Sequence, residues 1–239
     1  MVAIDGAMVH TDGAWHEAKA GICQALRRIR AGTWDRTGTP DYCVGLEARP
    51  AFWQRRSAQT AAQDVESRRC DLVVLLGDGA PWIGDDARGY FGGPGKQVVE
   101  SLDDDHAAEH VWAVAHALYP DDAAAAAAWA GPHLAALPDQ GPSLQAALAA
   151  LTPSDAAAAV VQWEGADCAY HAGRRDYPAC RRPGLPVGSG TVERAGKVVL
   201  KQRVSQGGMR WTAAGAQAFA TLRAWHRTGR WAAFLPAGR

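Results

Sequence analysis

With 239 residues, a formal net charge of zero and 48% hydrophobic residues, the chain has the composition of a globular protein. Its apolar runs are too short to span a bilayer, and its N-terminus lacks the pattern of a signal peptide. Its five cysteines are scattered and form no CxxC pair, which argues against a zinc ribbon or a disulfide framework. These features predict a protein of the reducing cytoplasm.

The charge is unevenly distributed along the chain. Residues 165–239 contain 13 Lys and Arg against 3 Asp and Glu, so the remainder is correspondingly acidic. A basic C-terminal third is typical of a protein that binds a polyanion such as nucleic acid. Basic residues that only solvate helix faces would give the same count.

The N-terminal part of the chain predicts a mixed sheet. Residues 2–9 predict a strand, and Asp12-Gly13 predicts a tight turn that returns the chain as a second strand over 15–23. Further strands are predicted over 42–46 and 97–100, with a helix over about 51–70. The continuous apolar run 71–77 is typical of a central strand buried on both faces.

The rest of the chain predicts mainly helices. Helical stretches fill about 103–163, the Gly-, Pro- and Arg-rich stretch 171–190 predicts a loop, and helices follow near 190–203 and 212–228. We therefore expect three segments: a first part of an α/β core over 1–102, a helical insertion over 103–186, and two helices over 187–239 that complete the core.

Three acidic residues, far apart in sequence, are candidates for one metal site. Asp5 and Asp78 each end an apolar run, at the edge where open α/β sheets bind ligands, and Glu193 opens a helical stretch. Converging carboxylates favour Mg²⁺ or Mn²⁺ and suit phosphodiester chemistry with two metal ions. On the residues alone, each Asp could equally begin a turn, and Glu193 could simply favour a helix N-terminus.

Five motifs, in order, resemble the DDE transposases of bacterial insertion sequences, specifically the Kra type. They are DGAMVHTDGAWHEAKAG, LGDGAPWI, DDDHAAEHVWAVA, GLPVGSGTVERAGKVVLKQR and GMRWTAAGAQA, which together extend from Asp5 to Ala218. The resemblance implies an α/β ribonuclease H-like mixed sheet with an α-helical insertion between Asp78 and Glu193. It also implies that Asp5, Asp78 and Glu193 are catalytic and hold two Mg²⁺ (or Mn²⁺) ions.

The same resemblance implies cleavage and strand transfer of DNA, with element ends and target as partners, a homodimer in the active complex and a place at the bacterial nucleoid. Members of the family carry a few hundred residues before the first Asp, so the resemblance implies a chain truncated at its N-terminus. The alternative is an inactive remnant that still binds nucleic acid.

The stretch from Asp103 to His110 supports two interpretations. His106, Glu109 and His110 spell HxxEH, the pattern of a family of zinc proteases, which would make the protein a zinc hydrolase. Asp103 and His106 also form the DxxH element that follows the last sheet strand in Mutator-like transposases. We favour DxxH, because it lies in register with the other motifs.

The candidate DNA contacts lie after Glu193. Basic residues at near-helical spacing could follow a DNA backbone, and a tryptophan could stack on an unpaired base. A solvated helix face and a core tryptophan are the plainer interpretations. The candidates are Arg194, Lys197, Lys201, Arg203, Arg210 and Trp211.

Overall fold

The computed structural model describes all residues except 31–32, 64–70, 93, 141–142, 153, 175, 182, 189–195, 207 and 234–239. Its strands are β1 (Val2–Thr11), β2 (Ala14–Arg30), β3 (Thr33–Gly45), β4 (Leu72–Gly77) and β5 (Gln97–Leu102). Its first helices are α1 (Arg49–Gln63), α2 (Pro81–Phe91), α3 (Asp104–Leu118) and α4 (Ala123–Gln140). They are followed by α5 (Ser143–Ala149), α6 (Asp155–Tyr170), α7 (Tyr177–Arg181), a π-helix (Gly196–Lys201) and α8 (Ala213–Thr228).

The described strands form one five-stranded sheet in the order β3-β2-β1-β4-β5. β1 pairs antiparallel with β2 and parallel with β4, so the sheet is mixed. The predicted α/β class with a mixed sheet is therefore confirmed. None of the described helices is both long and apolar enough to cross a bilayer.

The hairpin between β1 and β2 forms where Asp12-Gly13 predicts it. Both turn residues have positive φ, 51° at Asp12 and 86° at Gly13, as a tight primed turn requires. Pairing runs from Thr11 opposite Ala14 to Val2 opposite Cys23. β2 and β3 extend well beyond their predicted spans. Their additional residues are mostly exposed and continue the ladder between these two strands.

By contact, the chain divides into two compact units. The first unit contains residues 1–29, 34–99 and 189–239, and the second contains 30–33 and 100–188. These limits fall near the predicted segment boundaries at 102 and 187. The further assignment of the segments to a catalytic core and its insertion stays a prediction.

The sheet of the first unit buries apolar side chains on both faces. On one face, Val2 and Ile4 of β1 pack with Phe52, Trp53 and Trp82 of α1 and α2. On the other face, a second cluster joins β1 to the π-helix and α8; it contains Ala7, Val9, Val199, Leu200, Ala216 and Ala220. Side chains alternate between the faces of a strand, so odd-numbered residues of β1 face the π-helix and α8.

The second unit is helical and has its own apolar core. Leu102 packs there with buried residues of α3, α4, α5 and α6, among them Val111, Ala130 and Leu148. The prediction that 171–190 is entirely loop was wrong, since α7 (Tyr177–Arg181) forms within it and buries Tyr177 and Cys180. Of the predicted helix over 190–203, the structure describes the backbone from Gly196 onwards, where a π-helix forms.

Candidate functional site

Asp5 and Asp78 occupy equivalent positions on neighbouring parallel strands of the first unit. The register of β1 and β4 pairs Val2 with Leu75 and ends by pairing Ile4 with Gly77. Asp5 and Asp78 are the residues that directly follow this last pair. Parallel strands lie about 4.8 Å apart, so this register brings the two backbones close together.

The predicted position of Asp5 at the end of its strand was wrong. β1 continues to Thr11, because its second half pairs antiparallel with β2, and Asp5 itself stands opposite Ala20. β4, by contrast, ends at Gly77. Asp5 therefore lies within a long strand, at the level where its parallel neighbour stops. Within the described residues, the pairing of β1 with β4 ends there, and Thr11 later forms a single bridge with Trp211.

Alternation of side chains assigns Asp5 to one face of the sheet. Ile4 belongs to the cluster formed with α1 and α2, and a Cβ at its partner Gly77 would lie 3.0 Å from Ile83 of α2. Asp5 follows Ile4 and so faces the π-helix and α8. It is partly buried.

Asp78 combines its place after β4 with the start of α2. Its Oδ1 accepts a hydrogen bond from the Ala80 amide at 2.9 Å, which forms an Asx turn. Pro81 then begins the helix, where its missing N–H has no consequence. This turn holds the Asp78 side chain at the end of β4. The residue is partly exposed to solvent there.

Gly196 is the described residue of the π-helix that approaches Asp5. A Cβ at this position would lie 3.1 Å from Asp5 Oδ2, closer than ordinary van der Waals contact. Val199 and Leu200 hold the π-helix in place by packing against Ala7 and Val9 in the same cluster. Glu193 and Arg194, just upstream, lie outside the described residues.

Lys19 is a charged residue of this region that sequence reasoning missed. It stands opposite Gly6 and is 5% exposed. Its Nζ donates to the Glu47 carbonyl at 3.2 Å and lies 3.6 Å from Glu17 Oε2. The alternation of side chains along β2 was a sequence signal for this placement, because it puts Lys19 on the same face as Gly21 and Cys23. That is the α1 and α2 face, so Lys19 is on the opposite side of the sheet from Asp5.

Three arginines form a basic cluster, Arg203, Arg223 and Arg227, beside the π-helix. Arg223 donates from Nε to the Val199 carbonyl at 3.1 Å. Burial lowers the pKa of the Arg223 guanidinium, and the neighbouring charges of Arg203 and Arg227 lower it further. Arg203 was predicted as a DNA contact, whereas the other two were missed because they lie on α8, away from the motif.

The remaining predicted DNA contacts are differently placed. Lys197 and Lys201 lie on the π-helix, and Arg210 is exposed in the segment before α8. Trp211 packs on Phe219 with ring centroids 5.4 Å apart, and its backbone forms an isolated bridge with Thr11. This packing gives Trp211 a structural part in joining α8 to the sheet, while its contact with DNA stays a prediction.

The DxxH residues lie at the start of α3, in the second unit. Asp103 is the N-cap and accepts from the Asp105 amide at 3.4 Å. His106 Nδ1 lies 3.2 Å from Glu109 Oε2. This partner lies one turn along the same helix.

His110 connects α3 to α6. Its Nδ1 lies 2.5 Å from Glu164 Oε2, and its Nε2 lies 3.7 Å from Asp167 Oδ2. Asp167 in turn lies 3.4 Å from His171. The rings of His106 and His110 are 4.7 Å apart, edge to face. Both histidines of HxxEH therefore have carboxylate partners, and this network ties the two helices together.

Asp103, Asp104 and Asp105 form the one metal-competent group of three found within the described residues, with ligand atoms within 4.8 Å of one another. Burial raises the pKa of the Asp104 carboxyl, and the charges of Asp103 and Asp105 raise it further. Arg181, at 3.9 Å, acts in the opposite direction. Among the described residues, His106 and His110 form no such group with a third potential ligand. The structure therefore gives no support to an HxxEH zinc site.

No protein-family profile and no curated protein matches the sequence significantly. The geometry of the residues themselves is therefore the basis for a functional conclusion. Its strongest elements lie in the first unit: Asp5 and Asp78 each follow a paired residue of β1 and β4, and Gly196 approaches Asp5.

Proposed function

We propose that the chain is the catalytic domain of a DDE-type DNA transposase that cleaves DNA and transfers strands for an insertion sequence. The observation that carries the proposal is the register of β1 and β4, which pairs Ile4 with Gly77, the residues just before Asp5 and Asp78.

The donor set fits hard divalent cations. Two converging carboxylates repel each other unless positive charge lies between them, and oxygen ligands select Mg²⁺ or Mn²⁺ over softer metals. Gly196 supports this fit, because a side chain there would enter the space beside Asp5 Oδ2. Asp5, Asp78 and Glu193 would hold two ions.

Glu193 is within covalent reach of this point. It precedes Gly196 by three residues, and three residues span at most about 11 Å even when fully extended. Since Gly196 lies against Asp5, the length of the chain allows Glu193 to contribute to the same site.

The architecture is compatible with the ribonuclease H-like fold that the resemblance implies. A mixed sheet of order β3-β2-β1-β4-β5 carries the first acidic residue on β1 and the second after β4. The helical second unit separates Asp78 from Glu193 along the chain, as an insertion would.

The proposed reaction is water attack on a phosphodiester at an element end, followed by attack of the freed 3′-hydroxyl on target DNA. Two divalent ions, when bound, would activate the nucleophile and stabilise the leaving oxygen. The chain's own part is to hold the three carboxylates and to position the DNA backbone. The basic cluster of Arg203, Arg223 and Arg227 supports the second task, since clustered guanidinium groups bind phosphates.

The test is nicking of supercoiled plasmid with Mg²⁺ or Mn²⁺. We expect Asp5→Asn, Asp78→Asn and Glu193→Gln each to reduce nicking by orders of magnitude, because each removes one negative charge from the ion site. Asp35→Asn is the matched control, since Asp35 is an exposed acid on β3. A second readout is the midpoint of thermal unfolding, which Mn²⁺ should raise in the wild type but not in Asp5→Asn or Asp78→Asn.

The outcomes separate the candidate functions. If the wild type binds DNA but never nicks it, the chain is a remnant that binds nucleic acid. If Asp5→Asn or Asp78→Asn nicks as well as the wild type, the carboxylate assignment is wrong. Stoichiometric zinc that is lost in His110→Ala would instead favour the zinc hydrolase.

A further inference from the structure

A small cavity in the first unit lies at the turn end of the β1–β2 hairpin. Its lining includes His10 and Trp15 from the hairpin and Ser205, Met209 and Arg210 from the segment between the π-helix and α8. The cavity volume is about 210 Å³. Pockets for drug-sized ligands measure about 300–1,000 Å³, so this one suits a single small group rather than a large cofactor.

Trp15 supplies an accessible aromatic surface at this cavity. Its side chain is 62% exposed, although large apolar side chains are usually covered. It contacts His10 edge to face, with ring centroids 5.4 Å apart, and the two residues are paired across the hairpin. The indole is thus held in place while most of its surface stays open, as a stacking platform requires.

Arg210 supplies a cationic group at this cavity. It lines the cavity and its side chain is exposed, so it favours an anionic ligand. A flat group attached to a phosphate is a nucleotide. The cavity has room for the base, and the arginine is placed for the phosphate.

We propose that this cavity binds one unpaired base of single-stranded DNA, stacked on Trp15, with its phosphate at Arg210. The choice of DNA rests on the proposed function. The cavity is distinct from the carboxylates, because five residues of β1 separate His10 from Asp5, a distance of about 17 Å along the strand.

The experiment measures binding of a fluorescent single-stranded oligonucleotide by anisotropy, in EDTA so that no cleavage occurs. Trp15→Ala should weaken binding about five- to a hundredfold, the range found when a stacking aromatic is truncated. Trp15→Phe should retain most of the affinity. Trp163→Ala is the matched control, because Trp163 is 72% exposed but belongs to the second unit.

Two further arms identify the contact. An oligonucleotide with abasic sites should bind the wild type as weakly as the intact strand binds Trp15→Ala. Fully paired duplex should bind wild type and Trp15→Ala alike. Unchanged single-strand affinity in Trp15→Ala, equal loss for duplex, or full affinity for the abasic strand each overturns the proposal.

This experiment is independent of the nicking assay. If the wild type nicks plasmid while Trp15→Ala binds single strands normally, the base site is wrong and the proposed function stands. If the wild type never nicks but Trp15→Ala selectively loses single-strand binding, the base site stands and the catalytic proposal fails. A wild type that binds no DNA overturns both.

Discussion

Oδ2 of Asp5 lies 3.1 Å from the point that a Cβ atom on Gly196 would occupy. The two residues are brought together by the cluster that packs Val199 and Leu200 of the π-helix against Ala7 and Val9 of β1. Gly196 is itself buried. This approach is closer than ordinary van der Waals contact, so a side chain at position 196 would shift the carboxylate or the π-helix by a few tenths of an ångström.

Gly196→Ala should therefore impair the carboxylate site. The added methyl group would displace Asp5 Oδ2 by a few tenths of an ångström or more, and we expect a loss of roughly tenfold or greater in metal-dependent nicking, since small misplacements cost this much. Gly89→Ala is the control. A Cβ at Gly89, in α2, meets nothing within 4 Å, so that variant should nick normally and gain about 0.5–1 kcal/mol in unfolding free energy. Normal nicking by Gly196→Ala would show that its contact with Asp5 is unimportant.

The basic cluster should contribute to the salt dependence of duplex binding. Arg203→Gln and Arg227→Gln each remove one exposed guanidinium that lies near Arg223. Each should weaken binding across all sequences and reduce the slope of log K against log salt by about one. Arg36→Gln, an exposed position on β3, is the control and should leave the slope unchanged. A salt titration by anisotropy measures the slope, and identical slopes in all four proteins would contradict a phosphate contact.

Asp41 should be important for folding rather than for chemistry. It is fully buried on β3, where Oδ2 lies 3.8 Å from Arg56 and Oδ1 lies 3.4 Å from Arg230. Asp41→Ala leaves the fully buried Arg56 without its counter-charge, which should cost about 3–5 kcal/mol of unfolding free energy in a urea titration. Asp35→Ala, exposed on the same strand, should change it by less than about 0.5 kcal/mol. A similar value for both variants would disprove the ion pair as a stabilising element.

Asp104 should give the stability a defined dependence on pH. Burial and the charges of Asp103 and Asp105 raise the pKa of its carboxyl in the folded state. The folded protein then holds this proton more tightly than the unfolded chain does, so the group's contribution to stability falls as pH rises from the ordinary Asp value, about 3.9, through the raised one. Asp104→Asn should therefore stabilise the protein at pH 7, and this gain should vanish below the ordinary pKa.

Urea unfolding of Asp104→Asn at several pH values between about 3 and 8 measures this effect. Asp121→Asn is the control, because Asp121 is exposed and outside the acidic cluster. It should show no such trend. A gain for Asp104→Asn that is as large in acid as at neutral pH would point to a cause other than the charge of Asp104.

Several local features were predictable because their causes are local. The positive φ values of Asp12 and Gly13 follow from the preference of these residues for tight hairpin turns. The apolar run before Asp78 became β4, and α8 ends at Thr228, where Gly229 adopts φ of 79° as its left-handed cap. By contrast, the long ends of β2 and β3 could not be predicted, because their exposed polar residues carry no strand pattern.

The sequence by itself determined which acidic residues follow apolar runs, where the first hairpin turns, and that the C-terminal third is basic. Only the tertiary structure decided that Asp5, in the middle of a ten-residue strand, stands level with the end of β4 and under Gly196. The physical reason is that parallel pairing and the approach of the π-helix join segments distant in the chain. Their register is set by packing on both faces of the sheet, which no local pattern encodes.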